Sequence, residues 1–150
     1  MNDVLRLPKK TLFALDAVVD VAYNARPDPV QSKDITDRQG IPPRYLEQAM
    51  QQLVRAGILK GVRGPRGGYT LARERRRITV ADVVRVIAAD EESDEDTGSD
   101  IGAKVIRPLW TEIQDEIISR LETVTLEDLC RRAQEAGVDR AQRLARDFTI

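Results

Sequence analysis

Three observations predict a mainly α-helical fold with one small β-hairpin, organised as a winged helix-turn-helix DNA-binding domain followed by a long further helix. Apolar residues recur at helical spacing in several segments, and aromatics are only 4% of the 150 residues, which favours an aliphatic, helix-rich core. Gln39-Gly40-Ile41-Pro42 separates two of those segments by a turn of helix-turn-helix length. Directly after the second segment, two short β-prone runs, 58–62 and 69–72, flank the tip Arg63-Gly64-Pro65-Arg66-Gly67-Gly68 and read as a hairpin. The order decides the class. Helix pairs joined by a Gly turn are common, whereas a helix pair followed at once by an Arg/Gly hairpin is much less so.

Each element has its own signal. Pro8 suits the start of a helix, and Leu12, Leu15, Val19, Ala22 and Tyr23 follow at helical spacing until Pro27 and Pro29 stop it. Ser32 is the expected N-cap of a short helix ending at Gly40. Pro42-Pro43 opens the next helix, with Leu46, Ala49, Met50, Leu53 and Val54 on one face and Gly57 closing it. Thr79 and Asp82 have capping-box spacing and start a helix to about residue 89. Seven carboxylates within residues 90–100 repel one another and predict a mobile loop. A long helix over about 103–122 carries the stripe Ile106, Leu109, Trp110, Ile113, Ile117 and Leu121. Thr125 and Asp128 repeat the capping box and open a last helix to Ala136, ended by Gly137. The expected division is residues 1–89 for the DNA-binding domain, 90–102 for the acidic loop, and 103–150 for the dimerisation and C-terminal helices.

Composition narrows the function. There is no histidine, which removes Ser-His-Asp and Cys-His catalysis and ordinary His-ligated zinc. No nucleophile–base pair and no phosphate loop ahead of a helix is evident, so an enzyme is not expected. A single cysteine, Cys130, excludes an intramolecular disulfide, and no apolar run reaches membrane-spanning length; both fit the cytoplasm. The net charge of −1 hides an asymmetry: residues 1–89 hold sixteen Lys/Arg against nine Asp/Glu, and residues 90–150 hold eight against sixteen. A basic half beside an acidic half points to one surface for a polyanion and another for something else.

The candidate DNA contacts follow from chemistry at spacing. If Leu46, Met50 and Leu53 face inward, the other face of that helix carries Arg44, Tyr45, Glu47, Gln48 and Gln51. Arg pairs with guanine, Gln with adenine, and Glu accepts from cytosine. Arg63 and Arg66, set among Gly64, Pro65, Gly67 and Gly68, form a cationic, side-chain-poor tip suited to a minor groove or phosphate backbone. Lys9, Lys10 and Lys33 are candidate phosphate contacts.

The segments 40–48 (Gly-Ile-Pro-Pro-Arg-Tyr-Leu-Glu-Gln) and 62–69 (Val-Arg-Gly-Pro-Arg-Gly-Gly-Tyr), with Arg6-Leu7 ahead of them, resemble the Rrf2 family of bacterial transcription regulators. Within it the similarity is to iron–sulfur cluster regulators of the IscR type. It runs from about residue 5 to 87 and resumes at Pro108-Leu109-Trp110 and 123–129. The resemblance implies that the helix bearing Tyr45 and Glu47 enters the major groove and that Arg63 reaches the minor groove. It implies a two-fold dimer built by the long helix, with Ile106, Leu109, Trp110, Ile113, Ile117 and Leu121 at the interface. It also implies double-stranded DNA as partner, a near-palindromic operator, and control of iron–sulfur assembly, iron or cysteine metabolism.

The resemblance fails at the cofactor. Cluster-binding members carry three cysteines in the loop before the dimer helix, often with a histidine just after. Here that loop is the acidic run, and Arg107 stands where the histidine would be expected. One thiol per chain does not make the usual cluster ligand set. Cys130 shares a face with Leu126 and Ala133 and reads either as an inert core thiol or as a redox sensor or sole ligand beside Arg131 and Arg132. The acidic run reads either as a solvated loop or as oxygen ligands for a hard cation. Two rivals therefore stand beside the cluster-type regulator: a cluster-free regulator controlled by a protein partner, and an interaction or scaffold protein that has lost DNA binding.

Overall fold

A computed structural model describes residues 5–25, 28–89 and 98–141. The chain runs α1 (Lys9–Asn24), α2 (Ser32–Gln39), α3 (Pro43–Arg55), β1 (Leu59–Val62), β2 (Gly68–Leu71), a 3₁₀ turn (Arg75–Arg77), α4 (Val80–Ala88), a π-helical turn (Gly102–Ile106), α5 (Arg107–Leu121) and α6 (Leu126–Glu135). Most of the expected acidic loop, residues 90–97, and the tail 142–150 lie outside the described residues.

Helix α1 is the spine of the core, with α2, α3, α4 and α6 packed around it. Its buried arc is Ala14, Ala17, Val18 and Val21, whose small side chains let the neighbouring helices approach closely. That arc is offset from the stripe its larger residues suggest. Leu15 and Val19 are half-buried at its edge, and Leu12 is exposed. On α3, Leu46, Ala49, Met50 and Leu53 are fully buried as expected, but Val54 lies over the rim and is exposed.

The turn between α2 and α3 works as read. Gly40 sits at φ 66°, in the left-handed region, and its N–H donates to the Thr36 carbonyl at 2.8 Å. Ser32, however, is the first helical residue of α2 and not its cap; Gln31 holds that position and makes no side-chain cap bond.

Both capping boxes form. Thr79 Oγ1 accepts from Asp82 N at 3.1 Å while Thr79 N donates to Asp82 Oδ2 at 3.0 Å, and Thr125 with Asp128 repeats both distances. The two caps lie side by side, because Thr79 and Thr125 form an isolated antiparallel bridge. Val80 N donates to Val124 O and Leu126 N to Ile78 O, each at 2.9 Å. This junction seats α6 on α1, so that Leu126 and Cys130 join the same hydrophobic cluster as the first three helices. The division at residue 89 therefore does not follow the core: α6, grouped with the long helix on sequence, packs into the N-terminal unit. Beyond α6, Tyr23 Oη donates to Val138 O at 2.5 Å and Ala141 N to Asn24 Oδ1 at 3.1 Å, tying the chain back to the end of α1.

The long helix starts at residue 100, three residues earlier than its apolar spacing indicates, and contains the π turn. Pro108 explains that turn. Inside a regular helix its ring clashes with the carbonyl of Lys104, and its missing N–H breaks one bond. Widening the preceding turn, with Arg107 N donating to Gly102 O, accommodates the ring without ending the helix.

Candidate nucleic-acid interface

The geometry of α3 begins with its anchor. Asp20 is buried in α1 and takes a bidentate pair from Arg38, Nε to Oδ2 at 2.9 Å and Nη2 to Oδ1 at 2.8 Å, plus Gln39 Nε2 at 2.8 Å. The guanidinium is held charged first by that hydrogen bond, with the Asp20 charge adding to it. Both donors are the last residues before Gly40, so the network fixes the turn that aims α3. An acid inside an apolar stripe was the sequence signal for it, and sequence reading passed over it.

From that turn, Pro43 begins α3 at its first helical position, where a missing N–H costs nothing. Arg44, Tyr45, Glu47, Gln48 and Gln51 then line one shallow, open concavity on the face opposite the core. All five expected residues are brought together. Four are exposed, while Tyr45 is half-buried against the core. The Tyr45 ring stacks at a tilt on Phe13 of α1, centroids 5.7 Å apart, and carries the Arg44 guanidinium 4.9 Å above it.

The wing is an antiparallel ladder pairing Leu59 with Leu71, Lys60 with Thr70, Gly61 with Tyr69 and Val62 with Gly68. Arg63, Gly64, Pro65 and Arg66 are exposed at its tip. Gly67 and Gly68 play a different part from the expected one. Gly67 is buried, and a Cβ there would lie 2.1 Å from the Val62 carbonyl oxygen. At Gly68, with φ 149°, a Cβ would lie 2.4 Å from Val30 O. Their missing side chains let the tip fold and let the wing lie against Val30, which bridges Tyr69 through bonds of 2.9 and 2.7 Å. They build the wing, and the arginines and the Gly64-Pro65 step are what it presents.

The same bridge brings the start of α2 to the tip, where Gln31 Nε2 donates to Pro65 O at 3.3 Å. Lys33, in the first turn of α2, is exposed two residues on. Lys9 and Lys10 stand one turn before Phe13, on the α1 face that meets Tyr45. Phe13 and Gln31 were missed from sequence because their roles depend on partners more than thirty residues away.

The long helix presents the opposite chemistry. No residue of α5 is buried. Ile106, Leu109, Trp110 and Ile117 are each about half exposed, at 53, 49, 46 and 45%, and Ile113 and Leu121 are partly covered. Arg85 of α4 pairs with Glu122 just past its end.

The family model described as "Iron-dependent Transcriptional regulator" (Rrf2) matches residues 7–132. The chain belongs to the Rrf2 family. It is 37% identical over 140 residues to the HTH-type transcriptional regulator IscR of Xenorhabdus nematophila, covering 89% of this chain and 84% of that protein. The IscR of Escherichia coli O1:K1 is 35% identical over 144 residues, 92% and 88% of the two chains. Among solved structures, T. potens IscR superposes with a TM-score of 0.74 at 33% identity over 94% of this chain and 97% of that one. CymR, the global cysteine regulator of B. subtilis, gives 0.68 at 28% identity over 86% and 98%. The helical winged fold is thus that of a transcriptional regulator of this family.

The donor set does not fit a thiolate-ligated iron–sulfur cluster, which needs several cysteines. The one thiol, Cys130, is 3% exposed within the core cluster, on the same helical face as Leu126. Among the described residues no three Cys, Asp or Glu side chains gather as a metal site. Also among the described residues, no helix is long and apolar enough to cross a membrane.

Proposed function

We propose that the chain acts as a cytoplasmic homodimer on a near-palindromic operator, two α3 helices entering successive major grooves about 34 Å apart. The observation that carries this reading is the convergence of Arg44, Glu47, Gln48 and Gln51 on one open face, with an arginine-tipped wing beside the same helix-turn-helix. Arg44, Tyr45, Glu47, Gln48 and Gln51 meet base edges, Arg63 and Arg66 enter or flank the minor groove, and Lys9, Lys10 and Lys33 meet phosphates. The stripe Ile106, Leu109, Trp110, Ile113, Ile117 and Leu121, none of it in the core, is the dimer interface. Target genes of iron–sulfur assembly, iron or cysteine metabolism accord with its IscR and CymR relatives.

The signal is not a conventional thiolate-ligated cluster, since the single thiol is in the core. That favours a cluster-free regulator controlled by a protein partner.

Selection from a random duplex library tests the reading. A palindromic consensus should emerge, and if about eight phosphates are neutralised, log K should fall with log salt at a slope near about −7. A flat salt response would remove the electrostatic basis. Glu47→Ala should relax the consensus at one position per half-site, because an acid facing a polyanion is costly unless it selects a base. An unchanged consensus would leave Glu47 as a bystander.

A further inference from the structure

The contact between α1 and the recognition helix assigns a role to a residue outside the DNA-facing set. Three side chains form a stack that leads from the core to the groove face. Phe13, partly buried, belongs to the packing around the core. Its ring lies 5.7 Å from that of Tyr45 at an angle of 41°, within the range of a favourable tilted aromatic pair. On Tyr45 sits Arg44, its Cζ 4.9 Å from the ring centroid, and Nη2 donates to Tyr45 Oη at 3.2 Å. The guanidinium is therefore held by a face contact and a hydrogen bond at once. It spends one of its five N–H donors on Tyr45 and keeps the rest for a ligand.

We infer that Phe13 is a positioning residue for base selection: it fixes the Tyr45 ring, and the ring fixes the Arg44 guanidinium for two-pronged recognition of a guanine edge. The inference rests on the reading of α3 as the recognition helix and deepens it. The physical reason is entropic. A long arginine free on a surface loses rotamer freedom when it docks on a base, and a guanidinium already clamped on an aromatic face loses less. Removing Phe13 frees Tyr45 to turn toward the cavity so made. Arg44 then keeps its charge and its attraction to DNA but loses its aim. The effect belongs on sequence preference and not on general affinity.

The experiment measures binding of the full-length chain to its selected operator and to duplexes with each half-site guanine replaced in turn. Parent, Phe13→Leu, Phe13→Tyr, Arg44→Ala and the Phe13→Leu/Arg44→Ala double variant are compared. The readout is the ratio of affinities for matched and replaced duplexes, which does not depend on the fraction of protein that is folded. Phe13→Leu should lower that ratio about fivefold at the one position where Arg44→Ala lowers it, with the salt slope unchanged. Phe13→Tyr, which keeps the ring, should retain the parent ratio. In the Arg44→Ala background, Phe13→Leu should add nothing at that position. A parent that selects an operator while Phe13→Leu matches it at every position would overturn this inference alone. So would a loss spread evenly over all positions, which is what a merely structural residue gives. A parent that selects no sequence would overturn the DNA reading and this inference with it.

Discussion

Helices α3 and α5 both turn a long face to solvent, and the two faces are opposite in kind. One side of α3 is fully buried, and what it leaves outside is mostly Arg, Glu and Gln, with Val54 at the rim. α5 buries nothing, and what it leaves outside includes Leu109, Trp110 and Ile117. A polar face on an otherwise satisfied helix costs nothing in water and suits a hydrated, charged ligand. An apolar stripe in water is unfavourable by about 25 cal/mol for each Å² and suits a partner that removes it from solvent. The difference supports the two jobs proposed for one chain, DNA reading by α3 and self-association through α5, and each has a distinct way to fail.

The sharpest way to break it is to put charge on the apolar face. Ile113→Glu combined with Ile117→Glu should cost several kcal/mol of association, because the carboxylates would be buried without partners. Sedimentation should show monomer, and operator affinity should fall by about 100-fold or more as each half-site acts alone. If the double variant sediments as a dimer, the stripe is not the interface. Fold stability should change little, since neither residue is in the core.

Next in size is the anchor beneath the polar face. Asp20→Ala would leave Arg38 without its carboxylate at the edge of a buried site. Because Arg38 reaches solvent, its side chain keeping 26% of its exposure, water can take the carboxylate's place and the cost should be about 1–3 kcal/mol in urea unfolding. A loss under about 1 kcal/mol would mean that the turn is held by its backbone alone.

The wing comes third. Arg63→Ala should cost about 1–3 kcal/mol of operator binding and make the salt slope shallower by about 1. Equal affinity for the parent and this variant would take Arg63 out of the groove.

The smallest effects lie at the junction between the starts of α4 and α6. Thr79→Ala removes a cap bond and should lower stability by about 1 kcal/mol in thermal unfolding without changing the operator consensus. The neighbouring cap adds an acid dependence. Backbone and side-chain hydrogen bonds with Thr125 hold the Asp128 carboxyl below its ordinary range, helped by Arg131. A carboxyl depressed on folding contributes fully above its unfolded value and loses that contribution as pH falls through the folded one. The start of α6 should thus loosen only below about pH 4, and Asp128→Asn should remove that component of the acid transition.

The regularities that a few adjacent residues encode were legible in the sequence. Gly40 fixed the turn, Arg63-Gly64-Pro65-Arg66 the wing tip, Thr79/Asp82 and Thr125/Asp128 the two helix starts, and the lone Cys130 the absence of a cluster ligand set. Each is a matter of local backbone chemistry or of residue count. Tertiary structure alone decided what depends on distant partners. It chose Ala14, Ala17, Val18 and Val21 over Leu12 as the buried arc of α1, because four helices meet there and only small side chains admit them. It made Asp20 an anchor 18 residues before Arg38. Through the Thr79–Thr125 bridge it drew α6 into the N-terminal core. It showed that Gly67 and Gly68 are small because Val62 and Val30 lie where their side chains would be. And it set Phe13 under Tyr45, an aromatic pair that spacing along one helix does not reveal, since its two rings belong to different helices.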